Sequence, residues 1–242
     1  MNTEVQLMRK VAAIYDIHGN LPALEAVLGE IEREHVDCII VGGDVAWGPD
    51  PVGVLHRLMS LPGDVRFVRG NTDRYVAERY GVENGLDPWD AEINKWCADQ
   101  IDDGQRTFLK NLPDSVSLEI YGLGPTLFVH GSPRRDNEAI RRDTPESELG
   151  PMLEGVVEGL VVCGHTHVQF DRTACGKRIV NPGSVGLQIR ARGACWALFG
   201  PDVDLRQTMY DFEEAAKRIR QTGVPMAEEF AQHILMPPMK ES

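Results

Sequence analysis

The chain has 242 residues and a mass of 26.9 kDa, enough for one large domain with a full hydrophobic core. Apolar residues make up 42% and charged residues 26%, which argues against wholesale disorder. Twenty-five basic against 37 acidic side chains leave a formal charge of −12. That balance speaks against general nucleic-acid binding and against a polybasic membrane anchor.

No stretch of about 18 apolar residues occurs, so no membrane-spanning helix is expected. The N-terminus reads as lacking a signal peptide. The five cysteines (Cys38, Cys97, Cys163, Cys175 and Cys195) are odd in number, scattered, and form no Cys-x-x-Cys. They read as reduced thiols, and a cytoplasmic location is expected.

In chain order, Lys10–Tyr15 is a short apolar run and a buried-strand candidate. It breaks at Asp16-Ile17-His18-Gly19-Asn20. Pro22–Arg33 follows as a helix with Leu24, Val27, Leu28 and Ile31 on one face. Asp37–Val41 is the next strand, ending at Gly42-Gly43-Asp44. Pro51–Met59 is a second helix, and Val65–Val68 a third strand ending at Gly70-Asn71-Thr72-Asp73. This β-α-β-α-β order predicts parallel strands with right-handed crossovers.

Residues 74–112 are helical in composition and read as an insert within a single domain spanning 1–242. Trp89, Ile93, Trp96, Ile101, Phe108 and Leu109 supply its apolar faces, and both tryptophans are expected in the core. The second half is β-rich, with strands expected at Val116–Tyr121, Thr126–His130, Leu160–Cys163, Lys177–Val180, Cys195–Phe199 and Asp204–Met209. Pro145–Glu158 reads as a helix with Thr144 as N-cap. Phe212–Gln221 and Met226–Leu235 read as helices, and residues 236–242 as a frayed tail.

Five polar clusters sit where apolar strands end: Asp16/His18, Asp44, Asn71/Asp73, His130 and His165/His167. Sites in open α/β sheets form at the carboxyl ends of strands. Each cluster is flanked by glycine, which lets the backbone turn and a ligand approach. A lone histidine after a strand is more often structural than a ligand. Yet four of the seven histidines fall in these clusters, whereas His35, His56 and His233 lie on helices or their flanks. Carboxylates, imidazoles and a carboxamide gathered at one sheet edge would be costly to bury unpaired. As ligands of two divalent cations they are explained, and mixed His/carboxylate donors suit Mn²⁺, Fe, Zn²⁺ or Ni²⁺ better than Ca²⁺ or Mg²⁺.

The ordered motifs Asp16-x-His18, Gly43-Asp44, Gly70-Asn71-Thr72-Asp73, His130 and Gly164-His165-Thr166-His167 resemble those of the calcineurin-like metallophosphoesterases. The resemblance spans about residues 10–185. Asp16-Ile17-His18-Gly19-Asn20, His130-Gly131-Ser132-Pro133 and Asn181-Pro182-Gly183-Ser184 resemble its small bacterial and archaeal phosphodiesterase branch. It implies an α/β fold, a four-layer αββα β-sandwich flanked by helices, with a dinuclear metal site at one edge. It also implies that one metal takes Asp16, His18, Asp44 and His167. The other takes Asp44, Asn71, His130 and His165, with Asp44 bridging and Mn²⁺ the first expectation. Asp16 and His18 are two apart, as an extended segment would need to present both to one side. A turn at Gly164 would let His165 and His167 part.

The family mechanism implies hydrolysis of phosphodiesters or nucleotide phosphoanhydrides by a metal-bridging hydroxide, with Asp44, Asn71 and His130 as candidate catalytic residues. Many members carry a histidine general acid after the Gly-Asn, where this chain has Thr72. A hydroxyl is far too weak an acid to replace it, so good leaving groups are expected. Asp73 is read as hydrogen-bonding a ligand imidazole such as His18, or as the N-cap of a helix over Arg74–Tyr80. Asn181 and Ser184 read as loop-forming residues near the site. Asn71, Arg134 and Arg135 are candidate substrate contacts, because arginine forks suit phosphate oxygens. Alternatives within this resemblance are a Ser/Thr protein phosphatase and a non-catalytic scaffold such as the retromer subunit of this fold. The complete set of seven ligands favours the enzyme. Two cations would add about +4 where the ligands supply −2, making a small phosphate ester or nucleotide the expected partner.

Overall fold

The structure is a computed structural model and describes residues 7–239. In chain order its elements are β1 (Leu7–Met8), β2 (Val11–Ile14), α1 (Leu21–Glu34), β3 (Cys38–Val41), α2 (Pro51–Met59), β4 (Val65–Phe67) and α3 (Asn71–Glu78). A 3-10 turn at Val82–Asn84 leads to α4 (Pro88–Gln100) and α5 (Asp103–Lys110). Then come β5 (Ser115–Ile120), β6 (Gly124–Val129), α6 (Glu146–Met152), β7 (Leu160–Val162), β8 (Phe170–Ala174) and β9 (Lys177–Asn181). The chain closes with β10 (Ala194–Phe199), β11 (Val203–Thr208), α7 (Phe212–Gln221) and α8 (Ala227–Leu235).

Two mixed sheets result, one ordered β1-β5-β6-β7-β9-β8 and the other β11-β10-β2-β3-β4. The predicted parallel β2-β3-β4 ladder is present, with Val11 opposite Cys38 and Ile39 opposite Val65. Alternation along the strands builds the layers. In β2, Ala12 and Ile14 face the helices, while Val11 and Ala13 face the other sheet. In β6, Phe128 points between the sheets, and Leu127 and Val129 point outward to α6. Both sheets are therefore covered on both faces, as strands with continuous apolar runs require.

Local signals start the helices as expected. Asn20 Oδ1 accepts from Ala23 N at 3.2 Å to open α1, and Asp50 Oδ1 from Gly53 N at 2.8 Å to open α2. The 74–112 region is helical, and Ile93, Cys97, Ile101 and Leu109 join the main core beside α1 and α2. It is part of the body of the fold rather than a detached cap.

Five expectations change. Residues 145–158 form only the short α6: Pro151 inside it removes one bond of the ladder, and Gly155 beyond it takes a φ of 80°, which no right-handed helix continues through. Thr144 is not its N-cap; its Oγ1 accepts from Arg141 N at 2.8 Å and closes the preceding turn. The strand β8 escaped notice because its centre, Asp171–Thr173, is polar and partly exposed, giving no apolar run. Trp89 is 53% exposed, so only Trp96 packs against the core. Pro238, placed in the frayed tail, accepts a hydrogen bond from Arg190 N at 2.8 Å. Residues 240–242 of that tail lie outside the described residues. All five cysteines are free, and among the described residues no helix is long and apolar enough to cross a membrane.

Candidate metal centre

The carboxyl ends of β2, β3 and β4 in one sheet and of β6 and β7 in the other meet at one edge. Asp16 and His18 follow β2, and Asp44 follows β3. Asn71 opens α3 after β4, His130 follows β6, and His165 and His167 follow β7. The seven predicted residues thus come from five strand ends. Six of them form two groups of close donors: Asp16, His18 and His167, and Asp44, His130 and His165. Asn71, at the start of α3, is buried beside them.

The backbone at these positions is unusual. Asp16, His18, Asp44, His165 and His167 all have positive φ, between 46° and 66°. Non-glycine residues seldom adopt this conformation, and clusters of it mark functional sites. The Asp16–His18 segment is therefore coiled rather than extended. The parting of His165 and His167 likewise comes from their own left-handed backbones rather than from Gly164. Glycine is needed at 164 for a different reason: a Cβ there would strike the Tyr15 ring and approach Asp16 Oδ2 to 2.9 Å. At Gly70 a Cβ would collide with the Asp44 carboxylate.

Three imidazoles are oriented by carbonyls. His18 Nδ1 donates to Trp47 O at 3.1 Å, His130 Nδ1 to Gly42 O at 2.8 Å, and His167 Nδ1 to Leu187 O at 2.8 Å. A carbonyl only accepts, so each Nδ1 carries a proton and each Nε2 is left for the centre. His18 Nε2 and His167 Nε2 then meet at 3.1 Å, a separation that requires a shared proton or cation. Asp16 Oδ1 lies 3.5 Å from His167 Nε2, 3.8 Å from His130 Nε2 and 3.9 Å from His18 Nε2. Asp44 Oδ2 lies 3.3 Å from His130 Nε2 and 3.7 Å from His18 Nε2, so it sits between the two groups.

These spacings suit a cation. Donors about 2.1 Å from one ion stand roughly 3–3.5 Å from each other. Asp16 Oδ1, Asn71 Oδ1 and His130 Nε2 are buried atoms without a hydrogen-bond partner. Leaving such atoms unpaired is costly, and a divalent ion supplies what they lack.

The electrostatics agree. Burial lowers His18 to about 4, helped by the neighbouring His167. Burial also opposes charge on His130, but Asp44 overrides it and lifts the imidazole to about 10. His165 is lowered by burial and then by His130, while His167 is raised by Asp16 against burial. Asp44 and Asp16 stay below the usual carboxylate range despite burial, held there chiefly by His130 and His167 respectively. In each group the carboxylate thus raises the proton affinity of one imidazole, His167 beside Asp16 and His130 beside Asp44.

Asp73 takes neither expected role. Its Oδ2 accepts from Asp44 N at 2.8 Å and Gly70 N at 3.1 Å, and its Oδ1 from Val45 N at 2.9 Å and Ala46 N at 3.2 Å. It ties the Asp44 loop to the start of α3 and touches no imidazole. The helix starts three residues earlier than expected, with Gly70 as N-cap. The Asn181–Ser184 loop does buttress the site. Asn181 Nδ2 donates to Gly164 O at 2.8 Å, and Ser184 Oγ donates to Asp16 O at 2.7 Å. Arg134 turns away to Glu138, with Nε at 2.7 Å, whereas Arg135 is exposed beside His130. Sequence reasoning missed the carbonyls of Gly42, Trp47 and Leu187, because a backbone acceptor leaves no residue-type signal.

A calcineurin-like phosphoesterase superfamily domain is matched over residues 9–202, so the chain belongs to that superfamily, whose members use divalent metal ions. The chain is 26% identical to an uncharacterized protein of Methanocaldococcus jannaschii, with 89% of this chain and 93% of that one covered. Among solved structures, a metallophosphoesterase from Sphaerobacter thermophilus matches with TM-score 0.75 at 26% identity, covering 94% of this chain and 98% of that one. A hypothetical protein from Pyrococcus horikoshii matches in fold with TM-score 0.82 at 22% identity, covering 98% of this chain and 100% of that one.

Proposed function

We propose that this protein is a dinuclear metal-dependent phosphoesterase that hydrolyses phosphodiesters or nucleotide phosphoanhydrides. The observation that carries the reading is the pair of three-donor groups at one edge, with buried unpartnered atoms on Asp16, Asn71 and His130. Asp16, His18 and His167 would hold one ion, and His130, His165 and Asn71 the other. Asp44, lying between the groups, would serve both. Mn²⁺ is the proposed metal, with Fe, Zn²⁺ and Ni²⁺ also suited to these donors. Such ions supply Lewis acidity, an activated water and neutralisation of phosphoryl charge.

The chain's own groups do the rest. The carbonyls of Trp47, Gly42 and Leu187 fix three imidazole tautomers. Asn71, whose buried Oδ1 has no partner, would offer that oxygen to an ion and its Nδ2 to a phosphoryl oxygen. Thr72 N donates to Asp44 Oδ1 at 2.9 Å, and the Thr72 hydroxyl is buried without a partner. That hydroxyl can hydrogen-bond but cannot protonate a leaving alkoxide near neutral pH. Departure without a proton favours aryl and phosphoryl leaving groups. Together with the complete donor set, this favours the diesterase or anhydride hydrolase over a Ser/Thr phosphatase or a scaffold. The free cysteines support a cytoplasmic setting, and the core cluster that joins Val11 and Ile40 of one sheet to Phe128 and Val180 of the other supports a single domain.

The test is a screen of metal-reconstituted protein across mono-, di- and polyphosphates. Aryl diesters and phosphoanhydrides should turn over at least about a hundredfold faster than simple alkyl diesters, the usual scale of a missing general acid. Equal rates would remove the leaving-group argument, and no metal-dependent hydrolysis would remove the enzyme reading.

A further inference from the structure

A cavity of about 380 Å³ opens between the loop after β6 and the start of α3. His130 is in its wall, so it adjoins the metal centre. Arg69, Arg74, Arg134 and Arg135 also line it. In a chain of net charge −12 this concentration of guanidinium groups is local.

The four arginines differ in what they have left to give. Arg74 grips Asp136 with two bonds of 2.7 and 2.8 Å and donates to Tyr80 Oη at 3.1 Å. It also lies over the Tyr75 and Tyr80 rings, with centroid distances of 4.9 and 5.4 Å. It is a fixed strut, tying the loop that carries Arg135 to the helix that begins at Asn71. Arg134 is spent on Glu138. Arg69 gives one nitrogen to Asp114, and its buried Nε has no partner. Among the described residues no carboxylate is ion-paired to Arg135, whose guanidinium is exposed at the same rim. Four guanidinium groups thus face three carboxylates, and the surplus donors are those of Arg69 and Arg135.

We infer that this cavity binds a second phosphoryl group of the substrate, with Arg135 as the specificity-determining contact and Arg69 supporting it. The inference rests on the phosphoesterase reading and narrows its substrate class to compounds in which the attacked phosphorus is linked to another phosphoryl group. Hydrolysis then balances simply. Water's oxygen forms the new P–O bond, the anhydride P–O bond breaks, and the second phosphoryl group leaves with the electron pair. The water proton passes to solvent. The leaving phosphate is a stable anion and needs no acid, which fits a site that has Thr72 in place of one.

The test compares wild-type metal-loaded protein with Arg135→Gln and Arg135→Lys, since this exposed side chain can be changed without disturbing the core. Two substrates are used: ADP, which carries a second phosphoryl group, and bis(p-nitrophenyl) phosphate, which does not. In Arg135→Gln the ratio of kcat/KM for ADP to that for the diester should fall about tenfold, mainly through KM for ADP. Arg135→Lys should recover part of the loss. By calorimetry, methylenebisphosphonate should bind about tenfold more weakly to Arg135→Gln, with methylphosphonate much less affected. An unmoved ratio together with unmoved bisphosphonate affinity overturns the inference. If wild-type protein hydrolyses neither substrate, the phosphoesterase reading fails, and the bisphosphonate titration alone decides whether the cavity takes a second phosphoryl group.

Discussion

Asp44→Asn should abolish metal-dependent hydrolysis while leaving the fold intact. Asp44 lies between the two donor groups, with Oδ2 3.3 Å from His130 Nε2 and 3.7 Å from His18 Nε2. Neutralising it weakens the hold on both ions at once, and kcat/KM should fall by about a thousandfold or more, roughly 4 kcal/mol of transition-state stabilisation. The metal-free protein should tolerate the change. Asparagine keeps an oxygen for Thr72 N, and its amide N–H can donate to an imidazole Nε2 that now lacks an acceptor or donor. Thermal unfolding in chelator should therefore remain a single cooperative transition, lowered only by the loss of the Asp44–His130 charge pair. Full activity in this variant would contradict the assignment of Asp44.

Asp73→Asn should do the reverse, damaging stability first and activity as a consequence. Burial, then the Asp44 charge, pushes the Asp73 carboxyl up to about 6, while the backbone amides of Val45 and Gly70 pull the other way. Each Asp73 oxygen accepts two backbone N–H groups. An asparagine amide must turn its NH2 toward one of those pairs, leaving two buried donors without an acceptor. The expected loss is about 2–6 kcal/mol by denaturant unfolding, taking about 1–3 kcal/mol for each of the two stranded donors. Metal affinity should fall about 10- to 100-fold, because Asp73 sets the backbone that presents Asp44. A variant as stable as wild type would show that the four-amide clasp carries no weight.

Much of this site was legible in the sequence because its chemistry is concentrated in rare residue types. Asp16, His18, Asp44, Asn71, His130, His165 and His167 each follow an apolar strand run, and parallel strands bring such ends to one edge. The conformation of those ends was not legible. Left-handed backbones at Asp16, His18 and Asp44 depend on hydrogen bonds between loops, such as Asp16 N to Gly43 O at 3.1 Å and His18 N to Asp44 O at 2.9 Å. Nor was the role of Asp73, whose partners are backbone amides from a loop 27 to 29 residues away. The strand β8 was hidden by its polar centre, and α6 was overextended because Thr144-Pro145 imitates a helix start. Arg134 and Arg135 are adjacent in sequence, yet Glu138 forms its ion pair with Arg134 and only feels the charge of Arg135.

The measurement closest to the central claim is metal content per chain after reconstitution and exhaustive dialysis, by elemental analysis of wild-type protein and Asp44→Asn. Two transition-metal ions per wild-type chain, falling below one in the variant, is the result the two donor groups predict. A wild-type chain that retains no ion would contradict the account.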